Sequence, residues 1–261
     1  MMDLTASACD ASEAMRWSVS SLVDAMHLGS TGLPVGGFAY SQGLEQAHED
    51  GLISDRDSAA HWIRDALILV LARQDLPYWL ACHAAARQRS WNELDDLVQE
   101  LVALRETAEL RIESAQMGYS IMQLFHQWWP APDGRTADAF NASGGGALEN
   151  PCELPDALQR KLACNYTAAH ATLCAIRTMP ATVGLTVYVW SWLEAQVMAA
   201  LKIVPLGQRD GQWLLHQARQ WIEQSVQIAR ETPLAQAGSA PFGLAILSAR
   251  HETQYTRLFR S

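Results

Sequence analysis

Apolar residues in this chain recur every three or four positions over windows long enough to leave few alternatives to helix. Trp62, Ala66 and Val70 form one row, and Ile63, Leu67 and Leu71 run beside it. Leu94, Leu97, Val98, Leu101, Val102 and Leu104 form a second stripe, and Leu214, Ala218, Trp221, Ile222, Ser225 and Ala229 a third. A stripe of this period is one face of an amphipathic helix that another element must cover. Ser54-Asp55-Arg56-Asp57 offers side-chain oxygens to the free amides at the start of the first of these helices. Between Pro180 and Pro205 lies a longer apolar stretch whose only charge before Lys202 is Glu194. Its residues 183–192 have the β-branched and aromatic composition of a strand, but the length favours helix, and its apolarity predicts the buried central helix. The pattern as a whole predicts an all-α bundle of about nine or ten helices.

Composition narrows the classes further. The chain has 261 residues, 49% of them hydrophobic and 18% charged, enough apolar material for a large core and too much for general disorder. Lys and Arg total 19 against 28 Asp and Glu, a net charge of −9, which argues against a nucleic-acid partner. The longest unbroken apolar run, residues 66–72, is far short of a bilayer span, so no membrane insertion is expected. The opening Met-Met-Asp-Leu-Thr has no basic cluster followed by an apolar stretch, so no secretory signal is expected. Five cysteines without a Cys-x-x-Cys fit reduced thiols and a cytoplasmic location. The ten tryptophans are expected mostly in the core, with Trp128-Trp129 the exposed exception.

Glycine and proline mark three breaks. The first is Gly29-Ser-Thr-Gly-Leu-Pro-Val-Gly-Gly37, expected as a loop after an amino-terminal helix. The second, residues 130–155, contains Asn141-Ala-Ser-Gly-Gly-Gly and reads as a mobile loop within one helical domain spanning 1–261. The third, residues 231–241, separates the end of the chain from the body.

Reactive chemistry is poorly supported. Gly32 and Gly37 have P-loop spacing, but Phe38-Ala39 stand where Lys-Ser/Thr would neutralise phosphate. Glu45-Gln-Ala-His48 is an isolated Glu-x-x-His, whereas a di-iron bundle needs two such pairs and two further glutamates. No His-x-x-x-His and no Gly-x-Ser-x-Gly occurs, so neither a metal site nor a nucleophile is predicted, and no cofactor. An all-helical metalloenzyme built around Glu45 and His48, or a generic helical interaction module, stand as alternatives.

Residues 250–261 read Arg-His-Glu-Thr-Gln-Tyr-Thr-Arg-Leu-Phe-Arg-Ser, a basic tip with apolar anchors on an acidic chain. Arginine and aromatic residues together are the composition of interface hot spots. Such a tail either docks on a partner or folds back on its own bundle.

Three blocks carry a resemblance. Leu33-Pro-Val-Gly-Gly-Phe-Ala-Tyr-Ser-Gln-Gly-Leu-Glu45, Leu201-Lys-Ile-Val-Pro-Leu-Gly-Gln208 and His251-Glu-x-Gln-Tyr-Thr-Arg-Leu-Phe-Arg-Ser261 resemble, in order, the signatures of the urease accessory protein F (UreF) family. The resemblance covers nearly the whole chain. It implies an all-helical homodimer of the cytoplasm, a maturation factor and not an enzyme. Its implied partners are UreD (UreH in some organisms), the GTPase UreG and the urease apoprotein, assembled so that nickel reaches the urease site. The implied contacts are Tyr40, Ser41, Gln42 and Glu45 after the glycine loop, and Lys202 and Gln208 at a dimer or GTPase face. Glu252, Gln254, Tyr255, Arg257, Phe259 and Arg260 would form a flexible tail that orders on UreD. Two departures stand out: Ala39 where the family often has serine, and a longer glycine-rich stretch within 130–155.

Overall fold

The computed structural model describes residues 19–128, 154–238 and 242–261. Among them are eleven α-helices and no strand, an all-α fold close to the expected helix count. The first half comprises α1 (Val19–Leu28), α2 (Leu44–Glu49), α3 (Arg56–Asp65), α4 (Asp75–Arg87), α5 (Trp91–Ala103) and α6 (Ala108–Trp128). The second comprises α7 (Asp156–Leu162), α8 (Tyr166–Ile176), α9 (Ala181–Ile203), α10 (Gln208–Glu231) and α11 (Phe242–His251). The stretch expected as a mobile loop, residues 130–155, lies outside the described residues except for its last two, as does Trp129.

The amphipathic stripes become buried faces. On α5 the buried residues are Leu94, Leu97, Val98 and Leu101; on α10 they are Gly211, Leu214, Ala218, Ile222, Ser225 and Ala229. The start of α3 is capped as its sequence suggests: Asp55 accepts from the Ser58 amide at 2.8 Å, and the Ser58 hydroxyl closes the box. Those same hydrogen bonds hold the exposed Asp55 carboxyl below its ordinary range. The row after α3 does not continue as regular helix. Residues Ala66–Val70 form a π turn and Leu71–Arg73 a 3-10 turn, so the buried face passes from Ile63 and Leu67 to Ile68, Leu71 and Ala72.

The central helix is α8, which corrects the expectation that fell on α9. All eleven residues of α8 are buried, and it packs against α4 and α6. Its small alanines let neighbours approach closely from several sides. Asn165 caps it by accepting from the Ala168 amide at 3.0 Å. The longer α9 buries one face and leaves Thr186, Met198 and Lys202 exposed. It fits the core closely where Gly184 meets the Trp79 ring; a Cβ there would stand 2.7 Å from it. Of the tryptophans among the described residues only Trp79 is fully buried, while Trp62, Trp91, Trp190, Trp192, Trp213 and Trp221 rim the core half-buried. Large rings with a polar N–H favour that rim. Trp128 is also half-buried there.

Candidate functional site: a strap docked on the glycine loop

The residues after α11 are not helical, yet they are not free of the body. They run as a strap, residues 252–261, across α2, α6 and the glycine loop. The loop itself turns with Gly36 (φ 80°) and Gly43 (φ 82°) in the left-handed region that glycine tolerates. Its residues Gly37–Ala39 form a 3-10 turn, and α2 starts immediately after Gly43.

Glu45 on the first turn of α2 is the anchor. Its buried carboxylate accepts the Leu258 amide on Oε1 at 2.8 Å and the Phe259 amide on Oε2 at 3.0 Å. His251, with no exposed surface, sends Nε2 towards Glu45 Oε2 at 3.2 Å and Nδ1 towards Glu109 Oε2 at 2.9 Å. Glu109 also accepts from Arg257 at 2.9 Å. Buried charges persist when each is paired and hydrogen-bonded, as these are.

The strap's end is held by the loop. The Ser261 carbonyl accepts from the Ser41 amide (2.6 Å), the Gln42 amide (3.1 Å) and the Ser41 hydroxyl (2.6 Å). The Ser261 hydroxyl donates to Glu113 Oε2 at 2.9 Å. The Arg260 amide donates to the Ala39 carbonyl at 2.9 Å, and both its guanidinium and the Tyr40 hydroxyl reach Gln116 Oε1, at 3.2 and 2.5 Å. Burial is the main cause that raises the Tyr40 phenol above its ordinary value, and burial likewise raises Glu113. Phe259 is buried, and the Lys202 ammonium on α9 stands 5.5 Å from its ring and 6.0 Å from the Phe38 ring. At the strap's start, Glu252 accepts the Ala108 amide at 3.1 Å and so caps α6. The Gln254 side-chain amide donates to the Thr256 carbonyl at 2.9 Å and tightens the turn that follows α11.

Eleven of the twelve expected contact residues therefore belong to one assembly, although they were read as separate sets: Tyr40, Ser41, Gln42, Glu45, Lys202, Glu252, Gln254, Tyr255, Arg257, Phe259 and Arg260. Gln208 is not brought into it; it stands exposed at the first turn of α10. Of the two readings of the tail, the structure describes the one folded back on its own bundle, where the body supplies the carboxylates and an apolar seat. The large apolar side chains that the strap leaves outward are Tyr255, fully exposed, and Leu258, 71% exposed.

The residues not anticipated lie on α6. Glu109, Glu113 and Gln116 follow one another at four and three positions, one polar face of a helix whose other face carries Leu110, Ile121 and Met122. That spacing was readable, but the strap they receive lies more than a hundred residues further along the chain. The metal reading of Glu45 and His48 finds no geometric support. Glu45 is engaged by the strap, and His48 Nδ1 lies 2.6 Å from the Ile53 carbonyl. Among the described residues, no group of three or more His, Cys, Asp or Glu is arranged to hold a metal ion.

Fold and site together define an all-helical protein in which a loop near the start of the sequence and a strap at its other end are joined. Comparison with known proteins gives the family. The UreF family model matches residues 53–219. The urease accessory protein UreF of Cupriavidus pinatubonensis (strain JMP 134 / LMG 1197) is 41% identical over 250 residues, covering 92% of this chain and 97% of that one. The UreF of Bordetella parapertussis (strain 12822 / ATCC BAA-587 / NCTC 13253) is 42% identical over 250 residues, covering 90% and 100%. A bifunctional urease accessory protein UreEF of Bordetella bronchiseptica is 41% identical over 250 residues, covering 90% of this chain and 51% of that longer one. The chain belongs to the UreF family of urease accessory proteins, and its role lies in urease maturation.

Proposed function

We propose that this protein is a scaffold which, with UreD (UreH in some organisms), recruits the GTPase UreG to the urease apoprotein for GTP-dependent insertion of nickel. It acts in the cytoplasm, as a homodimer, and performs no catalysis itself. The observation that carries this reading is the convergence of the three motif blocks on one end of the bundle. Phe38 of the first block, Lys202 of the second and Phe259 of the third stack together. Residues far apart in sequence so build one continuous surface, as a docking face requires and a set of packing residues does not.

Burial sorts the roles. Tyr40, Ser41, Glu45 and Phe259 are buried and act by holding the strap, whereas Lys202, Gln208, Glu252, Tyr255, Arg257 and Arg260 are exposed and offer contact. Phe38-Ala39 in place of Lys-Ser/Thr accords with a nucleotide held by the partner. Among the described residues no helix is long and apolar enough to cross a membrane.

The test uses the strap's outward anchors. Tyr255→Ala combined with Leu258→Ser removes two exposed side chains and leaves the strap's hold on Glu45 intact. Recovery of UreD in a pull-down is expected to fall about tenfold or more. Recovery equal to the native chain, with UreG also failing to co-purify with the native complex, would leave only a generic helical interaction module.

A further inference from the structure

Gln42 stands where the strap meets the interior. Its φ of 50° is in the left-handed region, which a non-glycine residue occupies at a cost and keeps only when its surroundings hold it there. Three bonds do so. Its amide donates to the Ser261 carbonyl at 3.1 Å, its Nε2 donates to Glu113 Oε1 at 2.6 Å, and its Oε1 accepts from the Trp192 indole at 2.7 Å. Glu113 in turn receives the Ser261 hydroxyl on its other oxygen. The strap's last residue is thus bonded twice to the pair Gln42–Glu113.

The same pair is a wall. Behind it lies a cavity of about 80 Å³, partly open to solvent and lined among others by Gln42, Asp75, Arg105, Glu113, Tyr166 and Trp192. Arg105 is paired with the fully buried Asp75, while its Nε has no protein partner. A space of that size, mostly apolar in its lining but edged by Asp75, Arg105 and Glu113, has room for several water molecules.

We propose that Gln42 is a positioning residue that couples the strap to this cavity: docking of residues 252–261 fixes the Gln42 side chain as part of the cavity wall, and undocking releases it. Without Ser261, the Gln42 amide and Glu113 Oε2 lose their partners, and the left-handed backbone loses the bond that offsets its strain. The side chain then has no reason to bridge Glu113 and Trp192. Coupling of this kind is reciprocal, so whatever loosens the wall loosens the strap. The inference concerns the chain alone and stands whichever partner meets the strap.

Trp192→Phe tests it, because Trp192 lines the cavity and its indole is hydrogen-bonded to Gln42. The readout is release of the strap by trypsin at Arg257 and Arg260, which follows the undocked population when docking is fast. Loss of the indole donor is expected to speed release about fivefold. In a Gln42→Gly background, where the bridge is already gone and the backbone is unstrained, Trp192→Phe is expected to add nothing. No effect in the native background, or an equal effect in both, overturns the proposal. The converse measurement does not depend on those variants folding. Deleting Leu258–Ser261 is expected to raise hydrogen exchange in residues 188–196 and leave α5 unchanged; undisturbed protection of 188–196 overturns the coupling.

Discussion

Two histidines without exposed surface sit in opposite environments. His251 lies between Glu45 and Glu109, its ring nitrogens 3.2 and 2.9 Å from their carboxylates, with Arg257 completing the set. His170, in the middle of α8, accepts the Trp79 indole N–H on Nδ1 at 3.1 Å, so its proton is on Nε2, which has no partner. Tyr166 and Tyr188 present ring edges to it, with centroids 5.8 and 5.2 Å away. Burial pushes His170 down to about 3, with His83 adding to the effect. The surroundings of His170 disfavour its charged form, whereas the strap's seat is built from ionisable side chains that pair with one another. One region is held by packing that cannot be divided; the other hangs on a few identifiable oxygens and can come away by itself.

Glu45→Gln puts that division to its severest test. The amide keeps one acceptor but turns an NH₂ towards donors, either the strap amides or His251. Breaking a buried, paired charge typically costs about 3 kcal/mol or more, which raises the undocked population about 100-fold. Tryptic cleavage at Arg257 should accelerate by that order while the far-UV circular dichroism of the body stays native. If the strap remains protected, the carboxylate is not its anchor. If the whole helical signal falls with it, the two regions are not separable.

The core histidine gives the next effect, and its sign is fixed by the direction of the shift. Folded His170 binds its proton only near pH 3, whereas the unfolded chain binds it near its ordinary value of 6.5. Stability is therefore fully present above pH 6.5 and is lost as pH falls from 6.5 towards 3. Between pH 7 and pH 5 the loss should be about 2 kcal/mol, read as a shift of the urea midpoint. His83, buried and also depressed, acts in the same sense, while Glu113, raised by burial, opposes it. The comparison with His170→Gln removes those shared contributions. Glutamine offers Trp79 an acceptor and does not titrate, so its pH profile should be flatter; identical profiles would show that His170 does not carry the acid sensitivity.

How far the sequence alone reaches follows the same division. The apolar stripes were legible because burial on a helix is a local, periodic property: every residue of the stripe on α10 is buried except half-buried Trp221. The π turn at Ala66–Val70 was not, since one extra residue leaves the local pattern almost unchanged and packing decides the register. The central position of α8 was hidden by Thr167, His170 and Thr172, polar residues that look exposed until the helices packed around them are known. Which of its two readings the strap takes was hidden for a related reason. Its arginines and aromatics are what a free interface segment would carry, and the groups that hold it, Glu45, Glu109 and Glu113, lie more than a hundred positions earlier. The motif residues themselves were visible, but that two of their blocks bind each other was not.

Lys202 joins the two regions, since it rises from the end of α9 and lies beside rings of both loop and strap. Its side chain is exposed, so removing it leaves no buried group unsatisfied. A cation beside a ring at an exposed site contributes about 0.5–1 kcal/mol, so Lys202→Ala should loosen the strap only two- to fivefold in the tryptic assay and leave thermal stability near native. Its consequence for maturation should be larger than that loosening, because the exposed ammonium is also free to meet a partner. In a reconstituted assay with UreD, UreG and urease apoprotein, nickel-dependent activation should fall by more than strap release accounts for. Methionine at 202 separates the two roles: it keeps much of the contact with Phe38 and Phe259 without the charge. If Lys202→Met restores strap protection but not activation, the charge serves the partner; if it restores both, Lys202 works only by holding the strap.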